Sequence, residues 1–435
     1  MSTQTAHQAK SVITCDMEGR IETFNPGAED IFGYAPEEVI GKKRVSLFSP
    51  GLIVLGHVGS WLKAAREQGE YTGRTVFVRK DGSRFAADIR ITPTFKDGQQ
   101  IGYCGVTTPL PELPAEQAMP EIGFGTRLFA WLVITRAPFL TATLVPILIA
   151  AAWVASSGGV EPFPWLTFAL AMLGGVALHV AANTFNDYFD WRSGTDPENN
   201  AYFQPLSGGS RSIELGLIDE RRLLRVALAA LGTAGAAGLA LVILHGPVLI
   251  LFGLVGAFSA YFYTAPPLRL AARRGLGELL VGLNFGPLMV AGTVYALTGT
   301  LTWTDLFIGL PAGLLITAVL WINQFPDAPS DEATGKRNLV VVLGTRSARW
   351  GYLALVHGAF LIVIGGVVLQ VLPAGALLAL LALPLAVYTT LVAIRRYASR
   401  ELVAANSATI ALHVLAGLLL AAGILWHRAI SALIV

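Results

Sequence analysis

Apolar and polar side chains alternate along the first hundred residues, and beyond about residue 128 the alternation gives way to long apolar runs. Every second position is apolar over 84–91 and again over 101–106, a period of two that predicts antiparallel strands. Turn pairs at Asp81-Gly82 and Asp97-Gly98 punctuate the pattern. Residues 26–32 and 57–68 predict helices, the second carrying Val58, Trp61, Leu62 and Ala65 on one face. Together these elements describe a small soluble α+β domain over residues 10–108. Pro109, Pro111, Pro114 and Pro120 then predict a stiff, extended linker over 109–124.

Nine apolar stretches follow, at 129–155, 163–185, 223–244, 247–263, 276–298, 305–325, 350–371, 374–394 and 409–430. Each is near the ~20 residues that a helix needs to cross a hydrocarbon core. Backbone amides cannot stay unpaired in lipid, so residues 125–435 are expected to form an all-α polytopic bundle of nine transmembrane helices in the bilayer. The composition agrees: of 435 residues 54% are hydrophobic and 14% charged, against about a quarter charged in a soluble domain.

A net charge of +2 conceals an uneven distribution. Arg192, Arg211, Arg221 and Arg222 lie between the second and third stretches, and Arg269, Arg273 and Arg274 between the fourth and fifth. Lys336, Arg337, Arg346 and Arg349 follow the sixth, and Arg395, Arg396 and Arg400 follow the eighth. The alternate loops carry none. The positive-inside rule therefore places the basic loops and the N-terminal domain in the cytoplasm and the C-terminus outside an inner or plasma membrane. The opening residues, MSTQTAHQAK, contain no apolar run, so no cleaved secretory leader is expected. Cys15 and Cys104 are far apart and lack metal-ligand spacing; two reduced, unpaired thiols are expected. No nucleic-acid partner is expected.

Candidate chemistry gathers on the basic side. Asn183, Asn186, Asp187, Asp190 and Asp196 lie at the end of the second stretch, where a continuing helix would put Asn183, Asp187 and Asp190 on one face. Asn323, Asp327 and Asp331 lie at the end of the sixth. Carboxylates near a membrane interior are costly and mark function. Two such clusters facing each other need a cation, and hard oxygen donors suit Mg²⁺, which prefers one or two carboxylates plus substrate phosphates. A diphosphate substrate is implied, with Arg192, Arg211, Arg269, Lys336 and Arg337 to neutralise it. Ser207 opens a Ser-Gly-Gly-Ser segment flexible enough to approach a phosphate. Phe185, Tyr188, Tyr263 and Phe285 are candidates to attract a cation to a π face, or are ordinary bundle packing. Glu278 and Arg136 are read either as substrate-facing charges or as a helix-terminal acid and a snorkelling base.

The two clusters, the SGGSR segment at 207–211, the run Tyr263-Thr-Ala-Pro-Pro-Leu-Arg269 and the GKRNLVVVLG segment ending at Gly344 resemble the UbiA-type prenyltransferase superfamily over nearly all of residues 125–430. The spacing and the SGGSR segment look most like the 1,4-dihydroxy-2-naphthoate polyprenyltransferases of menaquinone synthesis. The resemblance implies a nine-helix bundle with a lipid-open cavity, a polyprenyl diphosphate donor and a small aromatic acceptor. It assigns Mg²⁺ to Asp187, Asp190, Asp196, Asp327 and Asp331, and substrate contacts to Asn183, Asn186, Tyr263 and the basic residues. Asp190 and Asp196 are six residues apart where many relatives have four. Other acceptors, such as a glycerol-phosphate lipid, a porphyrin or a chlorophyllide, and a catalytically silent isoprenoid-binding receptor stand as alternatives.

In the first region Asn25, Pro26, Gly33-Tyr34, Gly41 and the Arg79-Lys-Asp-Gly82 turn resemble a PAS domain over about residues 10–108. The resemblance implies a sensory role or a PAS-mediated homodimer and names no ligand.

Overall fold

The computed structural model describes residues 10–17, 19–49, 57–118, 124–158, 160–193, 210, 212–213 and 217–434. The chain divides into two compact units, essentially the residues up to 131 and those from 132 on.

The first unit is built on β1 (Ser11–Asp16), β2 (Ile21–Phe24), β3 (Tyr71–Val78), β4 (Arg84–Lys96) and β5 (Gln99–Pro109). They form one sheet in the order β2-β1-β5-β4-β3, with antiparallel neighbours throughout. Asp97 and Gly98 join β4 to β5 with φ of 52° and 78°, the left-handed pair that a two-residue hairpin requires. Both strands run longer than the alternation predicts, because ladder bonding continues beyond the last buried side chain.

Asn25 ties the helix α1 (Pro26–Phe32) to the sheet. Its Oδ1 accepts from the amides of Ala28 at 2.9 Å and Val12 at 2.8 Å, and its Nδ2 donates to the carbonyl of Lys10 at 3.0 Å. Gly33, at φ 77°, ends the helix in the left-handed conformation that glycine takes without strain. Behind α1 lies a core of Ile13, Ile21, Phe24, Phe32, Phe48, Phe77 and Phe85, with the Phe32 and Phe48 rings 4.2 Å apart. A second cluster packs Trp61 and Ala65 of α2 (His57–Gln68) on Cys15, Ile91 and Tyr103.

Cys15 and Cys104 are both free. Cys104 stands opposite Thr14 while Cys15 stands opposite Tyr103, so the two thiols leave opposite faces of the sheet. The proline-rich segment differs from the extended form expected. The amide of Leu110 donates to Ala86 at 2.8 Å, and Leu110, Leu113, Ala115 and Ala118 pack on Val76 and Ala86. Apolar residues between the prolines let the segment bury itself on the sheet.

In the second unit the helices are α3 (Thr141–Ser157), α4 (Trp165–Arg192), α5 (Glu220–His245), α6 (Val248–Phe262), α7 (Leu276–Thr298), α8 (Trp303–Ala333), α9 (Leu339–Leu343), α10 (Thr345–Val368), α11 (Ala374–Arg396) and α12 (Val403–Ile434). Among the described residues eight helices are long and apolar enough to span a membrane. The ninth expected span, at 247–263, is α6, whose 15 residues rise only about 22 Å at ~1.5 Å each. The count of nine is therefore not reached by length.

The stretch read as 129–155 is not one helix. Arg136 adopts φ 52°, a 3₁₀ turn runs over Ala137–Leu140, and residues before it belong to a separate short helix, Phe124–Ile134. Conversely, α4 and α8 run past the apolar stretches that predict them. α8 continues through Pro311, Pro326 and Pro329 to Ala333 and is largely buried, so neighbouring helices support the turns whose amides proline removes. Residues 284–288 of α7 form a π-turn containing Pro287. It packs closely on α8: a Cβ on Gly286 would meet Gly313 Cα at 2.6 Å and Gly309 O at 2.7 Å.

Candidate active site

The extension of α4 and α8 beyond their apolar stretches places both carboxylate clusters in the last turns of helices, where the macrodipole is negative and disfavours them. Such a placement requires compensating cations, and the structure supplies two.

Arg136 serves Asp187. Held by its left-handed backbone, it donates to Asn186 Oδ1 at 2.7 Å and forms an ion pair with Asp187. Asp187 is 1% exposed and also accepts from the Ser210 amide at 3.2 Å and the Ser210 hydroxyl, with the Ser212 hydroxyl 3.5 Å away. Lys336 serves the other carboxylates. Its Nζ lies 3.9 Å from Asp190 Oδ2 and 3.5 Å from Asp331 Oδ1, so the two motifs converge on one ammonium. Burial works against that charge, yet Asp331 and Asp190 hold the lysine above its ordinary pKa range.

The segment after α8 fixes this arrangement. Gly335 takes φ 74°, the Lys336 amide donates to the carbonyl of Asp331 at 2.7 Å, and Asn338 Nδ2 donates to Asp331 Oδ2 at 2.7 Å. Asn338 also caps α9 through Val341 N at 2.9 Å, so one side chain orients both a helix and a carboxylate. Asn183 Nδ2 donates to the carbonyl of Thr135 at 3.1 Å.

Asp190, Asp327, Asp331, Lys336, Arg136, Asn183, Asn186 and Tyr263 all border one cavity of about 1120 Å³. The rest of its wall is mostly apolar and drawn from α4 to α8, with many small residues such as Gly174, Gly235, Gly238, Gly253, Gly256 and Gly292. Polar groups recur deeper inside. His179 bonds Thr143 Oγ1 at 2.8 Å and lies 4.7 Å from the ring of Phe285, and His413 Nε2 lies 3.3 Å from the carbonyl of Thr141.

The remaining expected site residues lie elsewhere. Asp187 does not border the cavity. Arg192 bonds Tyr188 at 3.1 Å and pairs with Glu220 at 3.7 Å. Arg269 and Arg337 border a second, separate hollow. Asp196, Ser207 and Arg211 lie outside the described residues. Of the four aromatic candidates, Tyr263 and Phe285 border the cavity, while Phe185 packs on Ala181 and Ala227 and edge-on to Tyr261 at 5.3 Å. Glu278 is buried and ties three elements together: its Oε1 accepts from Gln324 Nε2 at 3.0 Å and Leu339 N at 2.9 Å. The role of Arg136 toward Asp187 and that of Asn338 were missed. A lone arginine inside an apolar stretch and an asparagine before a short apolar run were the available signals.

Comparison with known proteins settles the family. The model of the UbiA prenyltransferase family matches residues 143–415, well over half of the chain. The chain belongs to the UbiA prenyltransferase family. It is an integral-membrane prenyltransferase, and it carries an N-terminal PAS domain, whose family model matches residues 9–107.

Among relatives, a 1,4-dihydroxy-2-naphthoate octaprenyltransferase of Mycobacterium tuberculosis is 32% identical over 52% of this chain and 73% of that protein. A 2-carboxy-1,4-naphthoquinone phytyltransferase of Synechocystis is 29% identical over 68% of this chain and 93% of that protein. The solved structure of a UbiA homologue from Archaeoglobus fulgidus bound to GPP and Mg²⁺ aligns with TM-score 0.50 and 16% identity over 68% of this chain and 99% of the other, a likeness of fold alone.

The donor set fits the magnesium ion that the family implies. Mg²⁺ takes one or two carboxylates and completes its octahedron with water and phosphate oxygens, and Asp190 and Asp331 already converge on a single cation. Among the described residues no group of three or more His, Cys, Asp or Glu stands close enough to cage an ion alone, so the fit is to an ion shared with a diphosphate.

Proposed function

We propose that this prenyltransferase transfers a polyprenyl group from its diphosphate to a dihydroxynaphthoate-type aromatic acceptor, as a step toward a naphthoquinone. The observation that carries the reading is the meeting of Asp190 and Asp331 across Lys336 at the polar mouth of a long apolar cavity. The apolar wall suits an isoprenoid tail, and the mouth suits its diphosphate. The naphthoate acceptor is supported by the names of the relatives alone.

Asp190 and Asp331 would hold Mg²⁺ together with the diphosphate, with Asp327 on the same cavity wall as the further expected ligand, and the ion when bound would supply charge neutralisation at the diphosphate oxygens. Lys336 and Asn183 bind and orient the diphosphate, and Asn338 keeps Asp331 aimed at the mouth. Arg136, which also donates to Asn186, lies beside them and holds Asp187 as a buried, paired acid. As the allylic C–O bond breaks, the departing diphosphate takes the electron pair and the acceptor carbon attacks the allyl cation. The ring regains aromaticity as the substituent at that carbon leaves, either as a proton taken up by the released diphosphate or, from a carboxylate, as CO2. Tyr263 and Phe285 present π faces to that cation, and the apolar wall excludes water that would quench it. Asp196, Ser207 and Arg211 join this reading as the donor-facing segment after α4, whereas Asp187, Arg192, Arg269 and Arg337, also expected there, do not border the cavity and take no part in donor binding in this reading.

The basic loops and the PAS domain are cytoplasmic in this reading and the C-terminus is outside, with α6 counted as a ninth, short crossing. The PAS domain senses a cytoplasmic signal, as a monomer or a homodimer, and adjusts transfer. The deciding assay is transfer of labelled polyprenyl diphosphate in liposomes with Mg²⁺ and a panel of acceptors led by 1,4-dihydroxy-2-naphthoate. Mg²⁺-dependent prenylated naphthoate, reduced by about 10²–10³ in Asp331→Asn, supports the reading. Product with a glycerol-phosphate, porphyrin or chlorophyllide acceptor instead would overturn the acceptor, and donor binding without any product would overturn catalysis.

A further inference from the structure

At the end of the second unit that carries Asp327 and Asp331, four arginines surround a hollow of about 510 Å³. Arg269, Arg273 and Arg274 come from the connection between α6 and α7, and Arg337 from that after α8; Ala272 and Gly335 complete the wall, and none of these residues borders the active-site cavity.

The hollow is built, not incidental. Arg273 and Arg337 pair as a parallel bridge, and the Arg274 amide donates to the carbonyl of Arg337 at 2.8 Å. Arg273 is anchored by Nε to the carbonyl of Leu268 at 2.9 Å and by Nη2 to that of Pro267 at 3.3 Å. Arg269 and Arg274 adopt φ of 44° and 36°, a conformation uncommon for residues other than glycine.

Among the described residues none of the four forms an ion pair with a carboxylate. Four guanidinium groups around so small a space repel one another unless an anion lies between them, and the planar guanidinium is the side chain suited to bidentate contact with phosphate.

The surroundings say which phosphate. One residue beyond Arg274 and Gly275, α7 begins with Leu276, Leu279 and Leu283, exposed at 51%, 57% and 41% and spaced to form one stripe. An exposed leucine stripe on a membrane span faces acyl chains, so an arginine hollow lies at the head of an apolar track. Basic pockets of this kind at a membrane boundary take anionic lipid headgroups. We infer that the hollow is a binding site for the phosphate of an anionic membrane phospholipid, with an acyl chain along Leu276, Leu279 and Leu283. This assigns Arg269 and Arg337 to lipid in place of the prenyl donor.

The test is native mass spectrometry of the full chain in detergent, titrated with phosphatidylglycerol or with phosphatidylcholine of the same acyl chains. The wild type is expected to retain phosphatidylglycerol preferentially. Arg274→Gln alone, which leaves the Arg273 anchors in place, and Arg273→Gln/Arg274→Gln are expected to weaken that binding by at least about tenfold while phosphatidylcholine binding is unchanged. Equal retention of the two lipids by the wild type, or undiminished phosphatidylglycerol binding by both variants, would overturn the site. Displacement of the lipid by equimolar inorganic diphosphate would overturn the lipid as its occupant and return the arginines to a soluble phosphate. The readout is bound lipid, so it stands or falls apart from prenyl transfer.

Discussion

Asp187 and Asp190 lie three residues apart on one helix and have different tasks. Asp187 is sealed by Arg136 and Ser210, whereas Asp190 faces Lys336 and the cavity. Arg136→Ala leaves a buried carboxylate unpaired and is expected to destabilise the protein by about 3–5 kcal/mol. Adding Asp187→Asn is expected to restore much of that loss, read as the coupling in a double-mutant cycle of thermal unfolding in detergent. Lys336 carries its own pH signature. Its folded pKa is raised, so the stabilisation it gives is fully present below the unfolded lysine value and is lost only as pH rises through the folded one. Lys336→Met is expected to lower the midpoint of thermal unfolding at about pH 8, because it leaves Asp190 and Asp331 near each other without their cation. In the PAS domain, burial pushes the Cys15 thiol up to about 11, and Cys15 is expected to alkylate more slowly than Cys104 at about pH 8, as peptide mass spectrometry would reveal. Spacing made the shared face of Asn183, Asp187 and Asp190 legible. Nothing in the spacing pairs Arg136 with a carboxylate 51 positions away, because only packing brings them together.

The elements show where hydropathy stops being a guide. α4 and α8 continue as helices into polar sequence where Asp187, Asp190 and Asp331 are buried and held by Arg136, Ser210 and Lys336, and that continuation creates the site. The break at Arg136 goes the other way, ending a helix inside an apolar run and aiming a guanidinium at Asp187. The contact of α7 with α8 depends on glycine: the Cβ of an alanine at position 286 would fall 2.6 Å from Gly313 Cα. Gly286→Ala is expected to cost about 1–3 kcal/mol through forced separation of the two helices, measured as a lowered midpoint of thermal unfolding. Gly286, Gly309 and Gly313 are unremarkable in the sequence, since the need for them arises from a neighbour more than twenty residues away.

Across the whole molecule, the cavity joins a charged mouth to an apolar wall rich in small residues. Gly235 borders it, and a Cβ there meets nothing within 4 Å, so Gly235→Phe would fill space without displacing backbone. Products made from a mixture of polyprenyl diphosphates should shift toward shorter chains in that variant; an unchanged distribution by mass spectrometry would place the tail elsewhere. The two compact units frame the regulatory question. A chain lacking residues 1–115 is expected to keep prenyl transfer and to lose the response to redox or small-molecule signals, and identical activity in every condition tried would remove the PAS domain from control.

The sequence by itself determined the two solvents, the polytopic bundle, the PAS-like sheet and helices, and the two carboxylate motifs, because each is written in local periodicity or in charges too costly to place in a membrane without function. Tertiary structure alone decided which acids face the cavity, that Arg136 and Lys336 are their cations, that Asn338 aims Asp331, and that Arg269 and Arg337 border a different hollow. Those pairings join residues far apart along the chain, and a charge in a low-dielectric interior is set by whichever partner packing brings within a few ångströms.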